Sequence, residues 1–203
     1  MRIGFLLSGS GSTLENLINR MNDLKTPAQI CVVVSSRSDA YGLVRAEKFG
    51  IHSHVVEYKD YSGKVQEYSD KITEILKKYN IDLVVMGGFM SFYTIPPEYE
   101  NKVLNVHPAL IPAFCGKNMY GMRVHKAVYE SGVKTTGCTV HFVNNEYDAG
   151  PIIAQKCVSV NHSDTPESIA EKVVAAERDI YPEVIDCFVR GRVNKINGKF
   201  FIL

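Results

Sequence analysis

Two short segments hold the residues best suited to acid–base chemistry. In Leu104-Asn-Val-His-Pro108, side chains alternate along a strand, so Asn105 and His107 point to one face. Pro108 then ends the hydrogen-bonding ladder. A carboxamide beside an imidazole is a useful pair. The amide N–H can donate to a developing oxyanion, and a histidine can carry a proton near neutral pH. The same histidine would serve equally as a strand-end residue bonded to backbone. The second segment is the loop Asn144–Gly150, with Asp148. A carboxylate in a glycine-flanked loop is ordinarily a solvated turn residue. It gains a chemical role only if the fold delivers it to His107, where its charge would favour the imidazolium.

A third candidate is Ser8-Gly-Ser-Gly-Ser-Thr13, between a first strand and a first helix. Small residues let backbone amides approach an anion, and the helix N-terminus adds partial positive charge. Phosphate binding and a tight turn closed by a Ser/Thr cap are equally consistent with it. Two better-known phosphate loops are excluded. A P-loop needs Lys after its second glycine, and the dinucleotide fingerprint needs glycine where Leu14 stands and an acidic residue near Ser35-Ser36-Arg37. Arg37 keeps an NADP-dependent reductase as a rival reading, and a non-catalytic nucleotide-binding module is a second. No Gly-x-Ser-x-Gly elbow occurs. Cys115 reads as an incidental thiol, and His52 with His54 as a weak metal signal, so no metal is expected.

The elements that must position these residues alternate in period. Arg2–Leu7, Gln29–Ser35, His54–Glu57, Leu83–Met86 and Val103–Val106 read as strands. Thr13–Met21, Gly42–Phe49, Tyr61–Tyr79 and Val124–Glu130 read as helices between or after them. This rhythm predicts an α/β fold, an open, mostly parallel twisted sheet with helices on both faces. Thr136–Phe142 and Pro151–Val160 are joined by too short a connection for a crossover, so they are expected to be antiparallel. A helix capped by Ser163 or Asp164 should start near Thr165 and be interrupted or kinked at Pro182. Asn197-Gly198 signals a terminal hairpin.

Composition narrows the partners. The chain has 203 residues, enough for one domain, and 23 Lys plus Arg against 22 Asp plus Glu leave a net charge of only +1. No basic field exists to collect nucleic acid. No apolar run nears the ~20 residues that span a bilayer. The five cysteines are scattered without a Cys-x-x-Cys pair, which fits a reducing cytoplasm.

In this order and spacing, the segments resemble the formyltransferase family that uses 10-formyltetrahydrofolate. The motifs are Ser8-Gly-Ser-Gly-Ser12, Gly88-Phe-Met90, Asn105-Val-His-Pro-Ala-Leu-Ile-Pro112, Thr139-Val-His-Phe-Val143, Asp148-Ala-Gly-Pro-Ile-Ile153, and Glu177 before Ile180-Tyr-Pro182. The glycine-serine loop and Glu177 are similar to the branch that acts on glycinamide ribonucleotide. The resemblance implies a Rossmann-like single domain over residues 1–203. Residues 1–100 would form a phosphate-binding half, 101–190 a catalytic and folate-binding half, and 191–203 a hairpin. It implies Asn105, His107 and Asp148 as the catalytic set. Gly11, Ser12 and Thr13 would hold the substrate phosphate and Glu177 the ribose. Met90, Ser91, Phe92 and Tyr93, with Asn105, Asn144, Asn145, Glu146, Tyr147 and Asp148, would wrap the folate. The implied reaction moves a formyl group from 10-formyltetrahydrofolate to the glycine amine of glycinamide ribonucleotide, a step of purine synthesis. The implied partners are these two small molecules, the enzyme being a monomer or homodimer. Ser91 stands where relatives usually carry Arg, and Lys64 is the nearest cation for a glutamate tail.

Overall fold

The computed structural model describes all 203 residues. They form two compact units, Met1–Leu104 and Asn105–Leu203. No helix is long and apolar enough to cross a membrane. Seven strands are hydrogen-bonded in the order β3-β2-β1-β4-β5-β6-β7, and β8 and β9 make a separate pair.

In the first unit, β1 (Arg2–Leu7) is buried from Ile3 onward, the signature of an interior strand covered on both faces. It pairs in parallel with β2 (Gln29–Ser35) and β4 (Leu83–Met86), and β3 (His52–Val55) lies parallel beyond β2. Three helices accompany them. α1 (Ser12–Asp23) buries Leu14, Leu17 and Met21, one face of a 3.6-residue period. α2 (Tyr41–Lys48) is short. α3 (Val65–Lys78) buries Tyr68, Ile72, Ile75 and Leu76.

Most elements differ by one or two residues at an end from the bounds expected, and β3 and α3 are displaced furthest. β3 begins at His52, two residues before the expected His54, and ends at Val55. As an edge strand it exposes His52 and Ser53, so apolar alternation does not mark its start. α3 begins at Val65 rather than Tyr61, because Tyr58–Tyr61 form a separate 3₁₀ turn and Gly63 adopts φ +76° after it.

The second unit holds most of β5 (Val103–His107), then α4 (Met122–Ser131) and the antiparallel pair β6 (Thr135–Phe142) and β7 (Ile152–Ser159). α5 (Pro166–Val189) packs on β6, β7 and α4. It runs unbroken through Pro182, contrary to the expected interruption. Ile180, Tyr181, Pro182, Val184 and Ile185 are all buried, and this packing outweighs the one ladder bond that proline removes. β8 (Val193–Ile196) and β9 (Lys199–Ile202) form the hairpin, with Asn197 and Gly198 both at positive φ, as a type I′ turn requires.

The cap of α5 is Thr165, neither Ser163 nor Asp164. Thr165 exchanges hydrogen bonds with Ser168 in a capping box, and Pro166 occupies the first turn. Asp164 instead accepts from the Asn161 N–H at 2.7 Å, the Ser168 hydroxyl at 2.8 Å and Lys172 Nζ at 2.6 Å. The Asn161 N–H first, then Lys172 and Ser168, hold its carboxyl at about 2, below the usual 3.8. A depressed carboxyl stabilises the fold above its unfolded value and loses that contribution as pH falls through its folded value. The gap in Tm between wild type and Asp164→Asn should therefore be steady above about pH 4 and close toward about pH 2. A gap unchanged across that window would contradict this role.

Candidate active site

β5 ends on His107, only 3% exposed, with Asn105 two residues earlier. His107 Nε2 donates to the Phe114 carbonyl at 2.8 Å, and Nδ1 stands 3.4 Å from Asp148 Oδ2. A carbonyl only accepts, so Nε2 carries a proton. With a proton also on Nδ1 the ring is attracted to the carboxylate; without it, a lone pair would face an anion. The imidazolium is the form that suits both neighbours. Asp148 thus reaches His107, the condition on which its chemical role depended.

Three features hold Asp148 in place. Its Oδ2 accepts from the Gly116 N–H at 2.9 Å. Its backbone is left-handed, φ +53°, a conformation that Asp tolerates better than most residues. Two residues on, Gly150 lets the loop return against β6, because a Cβ there would overlap the Phe142 carbonyl. Gly150→Ala should cost ~1–3 kcal/mol of stability as an overpacking change, read as a lower urea midpoint. An unchanged midpoint would mean that the loop relaxes freely.

Two residues of the Thr139-Val-His-Phe-Val143 motif, which carried no assigned role, complete the cluster. Thr139 Oγ1 donates to the Ala109 carbonyl at 2.7 Å and accepts from the Ile111 N–H at 3.0 Å and Gln155 Nε2 at 2.9 Å. This ties the chain leaving β5 to β6 and β7. His141, two residues along the same face of β6, has Nε2 at 3.3 Å from Asn105 Nδ2 and at 3.8 Å from Asp148 Oδ1. Asn105, His107 and Asp148 therefore meet around a second imidazole. A third, His125 of α4, is buried; burial first, and His107 second, push its ring toward the neutral form. Cys115 donates to the Pro112 carbonyl at 3.2 Å, and burial, with Asp148, pushes its thiol up, away from a reactive thiolate.

In the first unit, Ser8 is structural. Its hydroxyl lies 2.6 Å from that of Ser36 and accepts from the Met90 N–H at 2.8 Å, joining the ends of β1, β2 and β4. Gly11 caps α1 at φ +73°, and a Cβ there would stand 2.5 Å from Gly42 Cα. Its smallness thus serves helix packing as well as any anion, so Gly11→Val is a test of folding rather than of phosphate binding. Ser12 and Thr13 open the helix, whose first N–H groups have no intrahelical acceptor. Arg45 of α2 braces the loop, donating to the Ser10 carbonyl at 2.6 Å and pairing with Glu15 at 3.0 Å.

A model of the formyl transferase family matches residues 1–185. The chain belongs to that family. It is 38% identical over 195 residues to the trifunctional purine biosynthetic protein adenosine-3 of Gallus gallus, covering 95% of this chain and 19% of that protein. It is 36% identical to phosphoribosylglycinamide formyltransferase of Haemophilus influenzae, covering 95% of this chain and 89% of that one. Among solved structures, glycinamide ribonucleotide transformylase 1 of Symbiobacterium toebii matches with a TM-score of 0.90 and 37% identity, over 100% of this chain and 94% of that one. The chain spans about a fifth of the trifunctional relatives it matches, 19% of their length.

The remaining candidates in this formyl transferase chain are unequally placed for ligands. Met90 is 58% exposed, and Ser91 and Phe92 are half-buried. Tyr93 turns its side chain into the core, where its phenol meets the Thr73 hydroxyl at 2.9 Å, and burial pushes it up. Only its backbone is left for a ligand. Asn145, Glu146 and Tyr147 are exposed, and Asn144 Oδ1 accepts from the Glu146 N–H at 3.0 Å. On α5, burial raises the Glu177 carboxyl to about 7, against the pull of Arg178. Its charge is felt by the buried Cys138 thiol, which burial first and Glu177 second push up to about 12. Arg37, the residue behind the NADP reading, pairs with Asp39 at the surface through two hydrogen bonds of 2.8 and 2.6 Å. Lys64 pairs with Glu67 at 3.1 Å.

Proposed function

We propose that this chain transfers the formyl group of 10-formyltetrahydrofolate to the glycine amine of glycinamide ribonucleotide. The observation that carries the reading is the His107 ring, held between the Phe114 carbonyl and the Asp148 carboxylate one alternation from Asn105. Family membership and the names of the relatives support the choice of donor and acceptor.

In this reaction the amine nitrogen bonds to the formyl carbon, and negative charge gathers on the formyl oxygen of a tetrahedral centre. The bond from that carbon to the folate nitrogen then breaks, and the proton lost by the amine passes to that nitrogen. Asn105 donates an N–H to the oxyanion. His107 donates from Nε2, the formyl oxygen replacing the Phe114 carbonyl as acceptor. Asp148 orients the ring from its other nitrogen, 3.4 Å away.

Gly11, Ser12 and Thr13 would bind the substrate phosphate through the opening of α1, and Glu177 the ribose. Met90, Ser91, Phe92, the backbone of Tyr93, Asn105 and the loop Asn144–Asp148 would receive the folate. No metal, nucleic acid or membrane enters the scheme. The five unpaired cysteines suit a reducing cytoplasm, with the enzyme acting as a monomer or homodimer.

Mixing the protein with glycinamide ribonucleotide and a 10-formylated folate should produce the absorbance of the deformylated folate only when both are present. Binding of NADPH with no such turnover would overturn the reading.

A further inference from the structure

His141 is 1% exposed, and its Nδ1 lies 2.8 Å from the Phe142 carbonyl. That oxygen has no proton to give, so Nδ1 holds one. Burial pushes the ring toward neutrality, outweighing the Phe142 contact and Asp148, which pull the other way; the nearby His107 charge adds to burial. A neutral ring with its proton on Nδ1 leaves Nε2 a bare acceptor. The donor that faces it is Asn105 Nδ2, at 3.3 Å.

A side-chain amide can sit in two orientations that differ by exchange of its oxygen and nitrogen. An acceptor at His141 Nε2 selects the one with NH₂ toward β6, and that nitrogen has a second N–H to offer. We infer that His141 is a positioning residue, whose fixed tautomer holds Asn105 in the orientation that presents an N–H, not a carbonyl, to the reacting oxygen. The inference rests on the reaction proposed above. The opposite state is equally defined. A proton on Nε2 would turn that nitrogen into a donor toward Asp148 Oδ1, 3.8 Å away, and Asn105 would lose its acceptor. The titratable groups facing the ring are Asp148 from the β6–β7 loop and His107 from β5.

Ring nitrogen NMR on ¹⁵N-labelled protein tests the tautomer without any substrate. We expect a protonated Nδ1 and a bare Nε2 on His141 around neutral pH. A cationic ring there, or a proton on Nε2 alone, would overturn the inference. Turnover supplies the second readout. His141→Phe keeps a ring but no acceptor, and should lower kcat roughly 10–100-fold while KM for both substrates moves little, a misaimed oxyanion donor losing part of its usual ~10²–10³. His141→Gln, whose amide oxygen can accept from Asn105, should recover most of that loss. The reverse order, with Phe active and Gln impaired, would make the ring a packing element and sink the inference. Wild-type protein that transfers no formyl group would instead overturn the proposed reaction, and the NMR result would still decide the tautomer.

Discussion

Asp148→Asn should lower turnover by roughly 10²–10³, the loss typical of a disabled oxyanion donor, while KM for either substrate changes far less. The substitution keeps shape and an oxygen that can accept the Gly116 N–H, now 2.9 Å from Asp148. What it removes is the negative charge 3.4 Å from His107 Nδ1. A neutral amide cannot make the charge-assisted contact with that ring nitrogen, so the ring is held less firmly and gives less help to an oxyanion. The measurement is kcat against pH for both proteins, with the His107 ring followed by NMR. A wild-type profile and an unaltered ring would return Asp148 to the class of solvated turn residues.

The second large effect belongs to the strand end. Asn105→Ala deletes an oxyanion donor and should cost ~10²–10³ in kcat. His107→Ala should cost at least as much. Binding of glycinamide ribonucleotide, measured by calorimetry, should stay near that of wild type in both. Near-normal turnover in either variant would make the pair structural. Equal loss of binding and turnover would point to a collapsed β5 end, since His107 is buried and both residues are hydrogen-bonded to neighbours.

Much of this site was readable from residue order. The apolar runs of β1, β2 and β4 are long enough and flanked clearly enough to mark buried parallel strands, and their bounds match those read from the sequence. Asn105 and His107 announce themselves by strand alternation and by the proline after them. What was not readable is pairing across long separations. His141 is a lone histidine in an otherwise apolar and hydroxylic strand, and nothing local ties it to Asn105, 36 residues earlier. Its parity with Thr139 was the available signal, since both side chains must share a face of β6. Tyr93 followed a motif exposed at Met90 yet turned inward, because Thr73 of α3 supplies a buried partner for its phenol. Pro182 read as a point of interruption or kinking because its local cost is visible in sequence, whereas the burial of Ile180, Tyr181, Val184 and Ile185 that keeps the helix continuous is not. The glycine-serine loop was half legible. Its spacing was right for the start of α1, but Ser8 joins strands and Gly11 packs on Gly42.

If formyl transfer to an amine runs through Asn105, His107 and Asp148, the formyl carbon itself reports it. The most direct measurement follows the formyl carbon itself. With ¹³C-formyl folate and glycinamide ribonucleotide in a single turnover, wild-type protein should place the label on the glycine nitrogen, seen by mass spectrometry as formylated product, with one deformylated folate per label. Asp148→Asn should give the same product far more slowly. Label released as formate, or folate left formylated while both ligands bind, would rule out this transfer.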